Sequence, residues 1–290
     1  MLPYSYFIHP EDGKALATMK SIPGFEPAMK KFMNIGYERV IEGTNMASAI
    51  RLGENQLPDV YHRVTGICDR LGLEYPQVYL SMSPYPNAWT YGDTDVSITL
   101  TSGLFDYLED DEIDSVIAHE CGHILCHHVL YHTMATYLRI GTGVVISKLS
   151  EPLWLAMSYW ERKSELSADR VAALVCGPET VIRTQLRLSG GPKSLTSRVN
   201  IDEWAKQAKG YEDFCNSSGW NKFLQGTAVM ENSHPFSAVR VREIQYWATS
   251  KAFKEVRDIL EGKRVECPHC HKRIEPGWRF CKHCGNPLGL

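Results

Sequence analysis

The run His119-Glu120-Cys121-Gly122-His123 follows an acidic opening, Glu109-Asp110-Asp111-Glu112, of the kind that suits the first turn of a helix. Residues four apart on a helix stand about 40° apart around the axis and about 6 Å apart along it, so both imidazoles reach one ion. Glu120 projects to the same side, where its carboxylate can meet a water on that ion. A zinc centre that does chemistry needs a third protein ligand and one open position. A later helical stretch offers Glu165, with Asp169 on the same face four residues on. Glu165 would complete a two-His, one-Glu set, and Asp169 would accept a hydrogen bond from the outer nitrogen of a ligand histidine. Glu161 lies on the same stripe and competes as ligand, and a solvated acidic face is the alternative for all three. A fold that uses these residues must bring two separate helices together.

Cysteine usage points to a second site. Four of the nine cysteines form Cys267-x2-Cys270 and Cys281-x2-Cys284. That spacing makes a closed tetrahedral zinc ribbon, and so short a unit needs the metal to fold. His269, His271 and His283 compete as ligands but lack the paired spacing. Cys68, Cys121, Cys126, Cys176 and Cys215 are scattered as buried thiols are, and an odd total does not fit a fully paired secreted framework. Met1 to Pro10 carries no signal-peptide pattern. A spanning helix needs about 18–20 apolar residues, and the most apolar stretch, Ile140 to Trp160, is interrupted by Lys148, Glu151 and Pro152. The expectation is a soluble cytoplasmic protein with two zinc ions, one catalytic and one structural. Peripheral membrane contact through Leu153, Trp154, Leu155 and Trp160 is the lesser reading of that stretch. A net charge of −3 gives no global reason to bind nucleic acid. Lys272, Arg273, Arg279 and Lys282 tint the ribbon basic; a solvated surface is its simplest reading, a docked protein partner the next, nucleic acid the least.

The remaining patterning predicts an α+β chain. Glu26 to Glu42 and Leu57 to Leu71 have helical periodicity, the second ending at Gly72. Val78-Tyr79-Leu80, Ala88 to Tyr91 and Val96 to Leu100 are short β-prone runs separated by turn chemistry, which predicts a small, largely antiparallel sheet. Helices return from about Asp111, from about Tyr159 to Cys176, and from Ala238 to Glu261. His127, His128 and His132 are expected to continue the motif helix, His127 near the metal face but too far from His119 to ligate. Cys121 is expected to point away from His119 and pack. The predicted organisation is a helical segment over residues 1–60 packed on a catalytic core over 61–262, followed by the ribbon over 265–290.

Taken in order, Thr101-Ser102-Gly103-Leu104, the acidic Asp111-Glu112 and Val116 to His123 resemble the HtpX and CAAX prenyl endopeptidase family of gluzincin zinc metallopeptidases. Three further pieces add to the resemblance. Pro86 to Gly92 is similar to that family's N-A-F-A-x-G strand, with Trp89 in place of the phenylalanine. Glu165-x3-Asp169 is similar to its third-ligand helix. Ser233-His234-Pro235, with Arg240 six residues after the histidine, is similar to its late His-Pro motif. The resemblance spans roughly residues 45 to 245. It implies a zincin-like fold and a zinc endopeptidase acting on protein or peptide substrates, with zinc held by His119, His123 and Glu165 and water activated by Glu120. His234 would donate to the oxyanion. Arg240 would orient His234, contact the third-ligand helix or form an exposed pair. Asn87, Ala88, Trp89, Thr90 and Tyr91 would be the sheet edge beside the metal, on which an extended peptide gains main-chain hydrogen bonds with little side-chain choice. Integral membrane members carry spanning helices before and between these motifs, and this sequence shows none. The competing function is a non-catalytic zinc-binding scaffold. Glu120, for which a structural site has no use, favours the enzyme.

Overall fold

The computed structural model describes residues 4–33, 36–139, 151–218, 236–261, 267–272, 274 and 278–288. Three short helices, α1 (Pro10–Ser21), α2 (Phe25–Met33) and α3 (Tyr37–Ser48), precede strand β1 (Ile50–Arg51) and helix α4 (Pro58–Leu71). Strands β2 (Gln77–Ser81), β3 (Ala88–Tyr91) and β4 (Ser97–Thr101) follow, then α5 (Ser102–Tyr107), α6 (Asp110–Leu125), α7 (Val129–Arg139) and α8 (Glu151–Cys176). Helices α9 (Pro178–Gly190), α10 (Lys193–Thr196), α11 (Ile201–Asn216), α12 (Ser237–Thr249) and α13 (Lys251–Leu260) complete the helical part. No helix among the described residues is long and apolar enough to cross a membrane.

Helix α6 is the axis of the molecule. Its start is fixed by a reciprocal capping box in which the Glu109 amide donates to Glu112 Oε2 at 3.0 Å, with Asp110, Asp111 and Glu112 complementing the helix dipole. Ile113, Val116, Ile117, Ala118, Cys121 and Leu125 are all buried, so α6 is enclosed by protein rather than lying on the surface. Its closest neighbour is α8. A Cβ on Gly122 would stand 2.9 Å from the Ala168 Cα and 3.0 Å from its carbonyl oxygen. Glycine at the centre of the motif therefore lets two helix backbones touch, and any larger residue would force α6 off α8.

The sheet is mixed, not largely antiparallel. Its order is β1-β2-β4-β3, with β1 antiparallel to β2 and β3 antiparallel to β4, but β2 parallel to β4 in a register that pairs Gln77 with Ser97 and Ser81 with Thr101. The three runs do not meander: β3 is thrown outward past β4, leaving β4 central and buried along its whole length. In β3 the side chains alternate, Ala88 and Thr90 inward, Trp89 and Tyr91 half-buried. The turn between β3 and β4 is tied to α3 by Glu38, whose Oε1 accepts from the Thr94 amide at 2.7 Å.

One large core joins the sheet to α4, α6, the second half of α8 and α12, through Val64, Ile98, Leu100, Ile117, Val171 and Val241 among others. A second cluster packs Met19, Phe25, Met29 and Phe32 of α1 and α2 against Met134, Leu153, Met157 and Trp160 of α7 and α8. Leu153 and Trp160 thus lie inside the protein and offer nothing to a membrane surface, while Leu155 is partly exposed.

Four helices differ from expectation, the first being α8, which begins at Glu151 and not near Tyr159 because Leu153 and Met157 continue its buried face. The span Glu26–Glu42 is broken at Gly36, which holds φ 71, a left-handed value that ends helical continuity. The span Ala238–Glu261 is two helices, because Ser250 leaves helical geometry (ψ 152) and its hydroxyl caps α13 by accepting from the Phe253 amide at 3.0 Å. The motif helix stops at Leu125. His127 takes φ 57 and reverses the chain, so His128 lies in the connection just before α7 and His132 within that separate helix.

Candidate metal centre

His119 and His123 come from α6, Glu165 from α8. Their Nε2 atoms lie 3.2 Å apart, and each is 3.3 Å from a Glu165 carboxylate oxygen. Zinc bonds of about 2.0–2.1 Å place ligand atoms at tetrahedral corners about 3.3 Å apart, so this donor set fits that ion without rearrangement. All three side chains are buried. Glu161, the rival, instead faces His132 Nδ1 at 3.8 Å.

Behind the ligands stands a second layer of charge. His119 Nδ1 lies 3.0 Å from Asp169 Oδ1, and an N–H donated there leaves the Nε2 lone pair for a metal. Arg240 of α12, 3% exposed, donates from Nε to Asp169 Oδ2 at 2.7 Å and from Nη2 to Oδ1 at 2.6 Å. Its Nη1 lies 3.1 Å from Glu165 Oε2. One guanidinium therefore grips the third ligand and the partner of the first. Arg240 contacts the third-ligand helix and is buried, so it is not an exposed pair; a role in orienting His234 falls outside the described residues. Burial pushes the Asp169 carboxyl up, but Arg240 and then His119 outweigh this and hold it at about 2.

Burial alone would lower the His119 imidazole, yet its bonds to Asp169 and Glu165 raise it to about 9. His123 goes the other way, since burial outweighs the pull of Glu165. At neutral pH the metal-free site thus holds a proton on His119 that a metal must displace. We expect zinc uptake at pH 7 to release about one proton at this site, and zinc affinity to rise with pH up to about 9. Calorimetry in buffers of unequal ionisation enthalpy measures both, and zinc uptake with no proton release would contradict the assignment.

Glu120 sits beside the three ligands, and the Thr90 hydroxyl donates to its Oε2 at 2.6 Å. Strand β3 thereby fixes the carboxylate from above α6. Two cavities flank it: one of about 420 Å³ bordered by Asn87, Ala88, Leu104, Val181 and Phe236, and one of about 60 Å³ bordered by Trp89, Thr90, Tyr91, His123 and His132. Glu120 lines both, so β3 runs across the two. His234 lies outside the described residues.

A further chain of buried groups was not legible in the sequence. His123 Nδ1 lies 3.1 Å from His128 Nδ1, and His128 Nε2 lies 3.0 Å from Asp12 Oδ2. Asp12, on α1, also accepts from Ser167 Oγ and from Trp160 Nε1, the latter at 2.9 Å. Burial opposes its ionisation, but these hydrogen bonds, His128 first, keep the carboxyl below its ordinary range. Cys121 packs away from the ligands with its Sγ 3.9 Å from that of buried Cys68.

The C-terminal cysteines form two matching knuckles. The amide of His269 donates to Cys267 Sγ at 3.4 Å and that of His283 to Cys281 Sγ at 3.3 Å. Sulfur atoms of Cys267 and Cys284 are 3.7 Å apart, those of Cys270 and Cys281 3.6 Å. Zinc–sulfur bonds of about 2.3 Å place tetrahedral corners about 3.8 Å apart, so this set also fits zinc and leaves no position open.

Residues 53–248 match the model of peptidase family M48, and residues 267–288 match a zinc-ribbon domain. The plastoglobule-localized metallopeptidase 48, chloroplastic, of Arabidopsis thaliana is 30% identical, over 86% of this chain and 74% of its own. A protease HtpX homolog of Thermococcus sibiricus is 25% identical, over 74% of this chain and 78% of its own. The protease HtpX of Legionella pneumophila (strain Lens) is 33% identical over a shorter region, 34% of this chain and 35% of its own. No solved structure matches.

Proposed function

We propose, from the premise that this chain belongs to peptidase family M48 and is an HtpX-like zinc metalloprotease with a C-terminal zinc ribbon, that it is an endopeptidase. Its substrates would be extended segments of proteins or peptides. The observation that carries this is a fourth buried side chain, Glu120, held by Thr90 beside a three-ligand set that it does not complete. A structural site has no role for it.

Zinc bound by His119, His123 and Glu165 would supply Lewis acidity, which acidifies water and polarises a carbonyl. Glu120 takes the proton of the attacking water and returns it to the leaving amine, while Thr90 fixes the plane of its carboxylate. Asp169 holds His119 in the tautomer that presents Nε2. Arg240 sets one positive charge against both Asp169 and Glu165, which stand side by side in the interior. His234, three residues before α12, would donate to the oxyanion, an interaction worth about 3 kcal/mol in comparable sites. The substrate would lie along β3 from Asn87 to Tyr91, an outer strand of the sheet that borders both cavities. In this reading residues 61–262 carry the chemistry, residues 1–60 brace it, and 265–290 form a separate ribbon that suits a protein partner. Four thiolates require a compartment that keeps them reduced, which suits the cytoplasm.

The test is turnover with metal counted. The purified chain should carry two zinc ions, and mild chelation should remove one and abolish casein cleavage, which zinc alone should restore. The ribbon ion, closed by four sulfurs, should stay. A protein with both ions that cuts neither casein nor a peptide library would leave the scaffold as the better account.

A further inference from the structure

Each metal-ligating histidine of α6 has its outer nitrogen against another group, but the two are backed differently. His119 meets a carboxylate directly, Asp169 at 3.0 Å. His123 meets an imidazole, His128 at 3.1 Å, and that imidazole meets a carboxylate, Asp12 at 3.0 Å. The hydrogen-bond chemistry gives the chain one direction. An ionised Asp12 only accepts, so His128 carries its hydrogen on Nε2. Nδ1 of His128 then accepts from His123 Nδ1–H, which leaves His123 Nε2 with its lone pair towards Glu165 and His119.

The backbone is bent to allow this. Had α6 continued past Leu125, His128 would have stood about 140° around the axis from His123. Instead the helix ends, His127 adopts a left-handed conformation that L-residues other than glycine take at a cost, and the His128 amide folds back to the His123 carbonyl at 2.9 Å. Both His128 and Asp12 are fully enclosed, with relative exposures of 1% and 0%. Asp12 moreover lies outside residues 53–248, the part that matches the peptidase family.

We propose that Asp12 and His128 are positioning residues for the metal ligand His123, so that α1 is a working part of the metal centre and not only packing. This rests on the metalloprotease reading above. Asp12 takes three hydrogen bonds, and a merely structural role would show in stability alone. Metal affinity separates the two.

The experiment loads the full-length protein with zinc and titrates it against chelators of graded strength, with the ribbon ion as internal reference. In Asp12→Asn and His128→Phe the zinc at His119, His123 and Glu165 should bind about 10–100-fold more weakly, with the ribbon zinc unchanged. His128→Gln, whose amide both accepts and donates, should recover part of the loss. Trp160→Phe removes one of Asp12's donors but keeps an aromatic ring where the indole packs edge-on against His128, centroids 5.6 Å apart, and should leave zinc affinity near that of wild type. Should the variants fail to fold, nitrogen-15 NMR of the zinc-loaded wild type must find His128 carrying its hydrogen on Nε2. Unchanged affinity in folded Asp12→Asn and His128→Phe, or a hydrogen on His128 Nδ1, overturns this inference alone. A wild-type chain that binds zinc only at the ribbon overturns it together with the reading on which it rests.

Discussion

Glu120→Gln is expected to keep both zinc ions and to lower casein turnover by about 10²–10⁴-fold, the range a positioned general base supplies. The substitution preserves size and removes only the capacity to take a proton. The amide oxygen it introduces would still accept from the Thr90 hydroxyl that now bonds Oε2 at 2.6 Å, so the local packing has no reason to change. His119, His123 and Glu165 are untouched, and elemental analysis should find wild-type zinc content. Loss of rate with retained metal is the signature of a base that acts on water and does not hold the ion. Turnover undiminished in the zinc-loaded variant would move the proton transfer to another group and remove the main support for Glu120.

Arg240→Ala should be the most destabilising single change at the site. It strips the counter-charge from Asp169 and Glu165, both buried to within 2% exposure. Breaking a buried, hydrogen-bonded ion pair from one side costs about 3–5 kcal/mol, because the remaining charge stays where water cannot reach it. Zinc would offset part of this at Glu165, so the effect should be largest in the zinc-free protein. Arg240→Lys keeps the charge but has no planar fork to bond both Asp169 oxygens, and should fall between. Urea unfolding followed by tryptophan fluorescence, with and without zinc, measures the series. Equal midpoints for Arg240→Ala and wild type would mean that the guanidinium contributes nothing net.

Local signals in the sequence carried the elements at the centre of the fold, because each is governed by neighbours in the chain. The acidic cap of α6, the Pro58 start and Gly72 end of α4, and the i, i+4 spacings of His119 with His123 and Glu165 with Asp169 are of that kind. What escaped was non-local or conformational. The parallel pairing of β2 with β4 depends on β3 being displaced to the flank, which no periodicity records. The stop at Leu125 is set by one left-handed histidine, a residue enriched at positive φ yet still far more often found in ordinary conformations, so its presence alone marks no turn. Asp12 looks like an ordinary acid in the first turn of a surface helix; only the tertiary fold puts it beneath His128. Thr90 is a strand residue whose hydroxyl acquires meaning once α6 lies under β3. Gly122 reads as a helix-weakening residue until the Ala168 backbone is seen against it.

Arg240, which neutralises the acids of α8, is translated long after the imidazoles of α6 and the carboxylates it serves. A nascent polypeptide therefore exposes its metal-binding motif well before the counter-ion that lets the acids be buried beside it has left the ribosome. Closing α6 on α8 around these acids therefore waits for α12, and the order of residues along the chain sets the order in which this centre can form.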